Sequence, residues 1–79
     1  MDKFEGLRTG TLVKRSRHWH ETRSGSYKDQ LGIVVGMEYY HQDDDPKKGL
    51  VTWPIVHWEG AVMGSLSHPD NVDYYRRKR

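Results

Sequence analysis

The chain has no cysteine, which closes two routes by which small domains gain stability: disulfides and thiolate-bound structural zinc. A reducing compartment is consistent with that absence. Long hydrophobic runs are also missing. The longest are Ile33-Val34-Val35 and Ala61-Val62-Met63, far short of the roughly 20 apolar residues a membrane helix needs. The segment Met1-Asp2-Lys3-Phe4-Glu5-Gly6 is charged and has no apolar centre, so no signal peptide is expected there. Helical periodicity is lacking too, as no window places apolar residues at i, i+3, i+4 and i+7 between capping signals.

What remains is a chain of 79 residues, 34% hydrophobic and 30% charged, in which a few well-placed aromatic and branched side chains must make the core. The net charge is +2, and Arg76-Arg77-Lys78-Arg79 supplies four of the positive charges. The other residues are slightly acidic, so attraction to phosphate would have to come from local patches.

β-branched and glycine residues mark five strands. Residues 9–15 open the series, and a polar stretch over 17–30 follows as a long loop. Residues 31–40 form the clearest strand, with Leu31, Ile33, Val35 and Met37 on one face and Gly32 and Gly36 on the other, where a bend or bulge is expected. Residues 41–49 are a second loop, broken by Pro46 and Gly49. Residues 50–58 are the third strand, in which Pro54 cannot donate to a ladder and implies a bulge or an edge. Glu59-Gly60 is a two-residue turn into a fourth strand over 61–66. Ser67-His68-Pro69-Asp70-Asn71 is a further turn, of 3-10 type, before a fifth strand over 72–75.

The expected fold is therefore all-β: a small five-stranded SH3-like barrel with a long first loop and a basic C-terminal tail. Residues 1–8 form an N-terminal arm, 9–75 the barrel and 76–79 the tail. Leu12, Ile33, Val35, Val51, Val56 and Leu66 are the expected core. An open OB-like barrel is the alternative, although it calls for longer strands and often a helix before the fourth.

Few residue groupings suggest chemistry. His18 and His20 would point the same way on an extended chain; zinc needs three or four ligands, which Glu21, His41, His57 or His68 could complete in three dimensions, but nothing in the spacing demands it. The Asp43-Asp44-Asp45 run lacks the alternating ligands, central glycine and distal glutamate of a calcium loop. None of the serines sits in a nucleophile elbow, and no glycine-rich loop could cradle phosphate. No catalytic residue, cofactor or metal is expected. Aromatic side chains are more telling, since a domain this small cannot bury all of Trp19, Tyr27, Tyr39, Tyr40, Trp53, Trp58, Tyr74 and Tyr75. Trp19, Tyr27, Tyr39 and Tyr40, with Arg15, Arg17, Arg23 and the tail residues Arg76, Arg77, Lys78 and Arg79, are the expected partner-binding set. The same basic and aromatic mixture is also what binds single-stranded nucleic acid.

Gly10-Thr11-Leu12-Val13-Lys14, Leu31-Gly32-Ile33-Val34-Val35, Val56-His57-Trp58-Glu59-Gly60 and His68-Pro69-Asp70-Asn71-Val72 together resemble the small SH3-like proteins of tailed bacteriophages. Those chains run as a G-x-L-V strand, a G-I-V strand, a V-x-W-x-(D/N/E)-G hairpin and an H-P-x-N-L turn. The resemblance covers most of the chain and implies a phage-encoded, non-enzymatic protein-interaction module: a virion structural component, or a binder of a phage or host protein. It places the protein in the virion or the host cytoplasm. A second, thinner resemblance is to the KOW-type barrel, which would imply a nucleic-acid partner. Neither a membrane nor a small-molecule substrate is expected.

Overall fold

The computed structural model describes residues 2–22 and 30–76. Five strands form one sheet: β1 Leu12–Arg15, β2 Leu31–His41, β3 Leu50–Trp58, β4 Ser65–Leu66 and β5 Val72–Tyr74. Their order is β4-β3-β2-β1-β5, and every neighbouring pair is antiparallel. A mostly β chain of five strands at the expected places is thus observed. The first strand starts later than its sequence pattern implies, and the fourth shrinks to two residues. No helix among the described residues is long and apolar enough to cross a membrane.

The polar stretch after β1 is not all loop. Arg17–Glu21 is a single helical turn, α1, started by Ser16, whose hydroxyl accepts from the backbone N–H of Trp19 at 3.1 Å. The same hydroxyl donates to the carbonyl of Asp70, so one buried serine ties α1 to the 3-10 turn Pro69–Asn71. On this helical turn His18 and His20 diverge, because residues two apart lie on opposite sides of a helix. The shared direction expected of an extended chain is lost.

The larger correction concerns which face of the sheet is inside. Phe4, Leu7, Val13, Val34, Val56, Trp58 and Val72 form the core, with Met37 and Tyr74 packed against it. Of the six residues expected there, only Val56 is buried; Val51 is half-buried, and Leu12, Ile33, Val35 and Leu66 are exposed. The reason is steric. Gly32 lies on the inner face, where a Cβ would stand 2.4 Å from Val56 Cγ1 and 2.8 Å from the Trp58 ring. β3 closes over β2 there, and only glycine admits it. With Gly32 inward, Val34 points inward and Ile33 outward. A bulge between Val34 and Gly36 then resets the alternation, so that Met37, paired with Pro54, returns to the core. The irregularity expected at Pro54 falls on the strand opposite.

The segment 1–8, expected as an arm, contributes Phe4 and Leu7 to the core, and the Phe4 and Tyr74 rings meet at 5.1 Å. Asp2 accepts from the backbone N–H of Thr52 at 3.2 Å and from its hydroxyl at 2.7 Å. Lys3 donates to the carbonyls of Pro69 and Val72 and to the Asp73 carboxylate. Two consecutive side chains therefore link β3 to β5 across the ends of the sheet.

Candidate interaction surfaces

Three regions combine exposed side chains with a defined scaffold. The first is the shoulder where β1 runs into α1. Arg15 lies between two indoles, its guanidinium carbon 4.5 Å from the Trp19 ring centre and 3.7 Å from that of Trp58. Its Nε donates to Gln30 Oε1 at 3.0 Å, and Gln30 Nε2 donates to the Glu59 carbonyl at 3.0 Å. Arg17 pairs with Glu21 at 2.7 Å one helical turn on. Thus Arg15, Arg17 and Trp19 do share one shoulder, but both arginines are already engaged within the fold. Arg23 and Tyr27 lie outside the described residues.

The second region is at the other end of β2. Tyr39 and Tyr40 are exposed there, about 30 Å of strand path from the Lys14–Leu31 pair beside Arg15. They lie further along β2 than the Leu31 end beside Arg15, and the row that starts at Tyr40 leads back toward α1, because His68 caps the 3-10 turn that is tied to Ser16. Tyr40 meets Trp53 edge-on at 5.1 Å, and Trp53 meets His68 at 4.7 Å. Beside this row a polar cleft of about 230 Å³ is lined by Lys3, Asp43, Trp53, His68 and Asp70. The Asp43-Asp44-Asp45 run turns at its mouth. Asp43 pairs with Lys48 at 3.1 Å, and the Asp45 carboxylate accepts from the backbone N–H of Lys47 at 2.9 Å. Among the described residues no group of three or more His, Asp or Glu side chains is placed to hold a metal ion. Arg76 is exposed just after β5, whereas Arg77, Lys78 and Arg79 lie outside the described residues.

The third region is the outer face of the sheet, which the sequence pattern assigned to the core. Leu12 pairs with Ile33, and Ile33 with His57, across β1, β2 and β3. Next to that row Val35, Ile55 and Leu66 continue the apolar surface onto β4, with Gly64 packed so closely over Val35 and Ile55 that a Cβ there would reach 2.8 Å from Val35 Cγ2. Leu12, Ile33, Val35 and Leu66 are 45–50% exposed, Met63 is 73% and Val62 95%. Normal surface hydrophobics are scattered singly, and these are contiguous over four strands. Lys14, paired with Leu31, and His57 are polar groups in this area, and His57 Nε2 is bonded to the Ala61 carbonyl at 2.9 Å. The signal was present in the sequence: the alternation at residues 31, 33 and 35 and the run 61–63 are this face.

No protein-family model matches the chain, and neither a curated protein nor a solved structure matches it significantly.

Proposed function

We propose that this chain is a non-enzymatic protein-interaction module, folded as an SH3-like barrel of the tailed-phage kind and acting as a small virion structural component. The observation that carries the reading is the outer apolar face, from Leu12 through Ile33 and Val35 to Leu66, with Val62 and Met63 projecting beside it. A domain that can bury only a fraction of its surface loses stability and solubility by leaving such a face in water, unless another protein covers it. The barrel reading draws on the strand order, in which β1 lies between β2 and β5, and on the side-chain links of Asp2 to β3 and Lys3 to β5. It also draws on connections that shorten in chain order, over residues 16–30, 42–49, 59–64 and 67–71.

A nucleic-acid role of KOW type draws less support. It needs basic side chains gathered against phosphate, and on the shoulder that carries Trp19 the two arginines are already engaged, Arg17 with Glu21 and Arg15 between two indoles, while the exposed Arg8, Lys47 and Arg76 are spread over separate segments. The test is affinity capture from infected-cell lysate with nuclease present, comparing the parent chain with Ile33→Lys. The reading predicts protein capture that survives nuclease and is lost in the variant. Capture that nuclease abolishes would contradict it, as would capture unaffected by the substitution. Recovery of the protein in purified particles would support the virion role, and its absence from them would remove it.

A further inference from the structure

The outer face carries two features of opposite shape, side by side. One is a shallow apolar groove of about 410 Å³, whose walls are Leu12, Leu31, Ile33, His57 and Ala61. The other is a projection formed by the next two residues, Val62 and Met63, which begin directly at the groove's Ala61 wall. Val62 is almost wholly in solvent. A branched apolar side chain there gains little from the rest of the fold, since none of the described residues covers it.

We infer that this face pairs with a second copy of the chain about a two-fold axis, the Val62–Met63 projection of each copy entering the Leu12–Ile33–Ala61 groove of the other. The inference rests on the interaction-module reading above and names the partner at that face. Three observations favour a second copy as the occupant. First, projection and groove adjoin on one surface, so a two-fold lets each copy give and receive the same contact, as an isologous interface requires. Second, the groove itself carries little charge, with Lys14 beside it on the same face, opposite Leu31. Among the groove's lining residues the ionisable ones are Glu59, at the rim, and His57, whose ring is already bonded to Ala61. Apolar sheet faces that pack on each other need no charge complementarity. Third, the area is appropriate. At their observed exposures Leu12, Ile33, Val35, Val62, Met63 and Leu66 present on the order of 600 Å², so a pair that covers all of them on both copies buries at most about 1,200 Å², the lower limit of specific stable interfaces.

Sedimentation velocity on the full chain, from about 1 µM to about 1 mM, tests this. The parent is expected to pass from monomer to dimer over that range. Val62→Asp and Ile33→Lys are each expected to weaken pairing at least about tenfold, with melting temperatures close to the parent's because both positions face solvent. Leu12→Lys serves for the groove if Ile33→Lys fails to fold. An equimolar mixture of Val62→Asp with the groove variant should dimerise again. In that heterodimer one intact projection meets one intact groove, and the introduced carboxylate meets the introduced ammonium. A parent that stays monomeric at about 1 mM overturns the inference, as does a mixture that does not re-pair. If the parent is monomeric but Ile33→Lys still abolishes capture of another protein, self-pairing is excluded while the interaction module stands. If Ile33→Lys leaves that capture intact, the module reading itself fails.

Discussion

The carboxylate of Asp2 reaches 50 residues along the chain to hold Thr52, accepting from both its backbone N–H and its hydroxyl. Thr52 is buried, and Asp2 also accepts from the backbone N–H of Phe4 at 3.2 Å, which fixes the approach of the Phe4 ring to the core. Asp2→Ala leaves three donors, the Thr52 N–H and hydroxyl and the Phe4 N–H, without this partner, at a cost of about 1–3 kcal/mol. For a domain of this size each kcal/mol lowers the melting temperature by about 4–8 °C. Thermal melts followed by circular dichroism check this. In a Thr52→Val background the same substitution should cost distinctly less, since the hydroxyl half of the contact is already gone.

Gly32 and Gly36 occupy the same strand and predict opposite responses to alanine. At Gly32 the added methyl would overlap Val56 and Trp58, and overpacking of that kind costs about 1–3 kcal/mol. At Gly36 the nearest side-chain atom, Ile55 Cδ1, stands at 3.4 Å, an ordinary contact. Urea denaturation should therefore show Gly32→Ala clearly destabilised and Gly36→Ala within about 0.5 kcal/mol of the parent. Equal effects would mean that β3 does not close over β2 at Gly32.

Arg15 joins three parts of the fold: the indole of α1, the indole at the end of β3 and, through Gln30, the turn at Glu59. A planar guanidinium can stack on both rings while its Nε donates sideways, and an ammonium cannot. Arg15→Lys keeps the charge and should still lose about 1 kcal/mol. Tryptophan fluorescence should shift in the same variant, because Trp19 and Trp58 lose the group between them. An unchanged spectrum and unchanged stability would contradict the stacked arrangement.

At Glu59-Gly60 the expected turn forms, with Ala61 N–H bonded to the Trp58 carbonyl at 2.9 Å and Gly60 at φ +82°, although the strand expected directly after it starts only at Ser65; elsewhere strand positions were legible in the sequence because alternation, glycine and turn residues mark them. The inside of the sheet was not. β2 has apolar residues on both faces, Ile33 and Val35 on one and Val34 on the other, and the larger set naturally reads as core. What decides the matter is a contact between β2 and β3 at Gly32, which no pattern within β2 contains. Phe4 was hidden by its charged neighbours Asp2, Lys3 and Glu5. Two of these turn out to anchor it, Asp2 by bonding to its N–H and Lys3 by fastening the same segment to β5. The turn of helix at Arg17–Glu21 is too short for periodicity to register, and Ser16 was its one local signal.

Ile33 faces solvent and Val34 faces the core, and lysine at each position measures that in one experiment. A lysine at Ile33 keeps its stem on the sheet and its ammonium in water, so the variant should fold with a urea midpoint near the parent's. A lysine at Val34 would put an unpaired charge into a fully buried site beside Val56, and the chain should be unfolded at neutral pH without denaturant. A folded Val34→Lys together with an unfolded Ile33→Lys would return the outer face to the core and remove the docking surface from this protein.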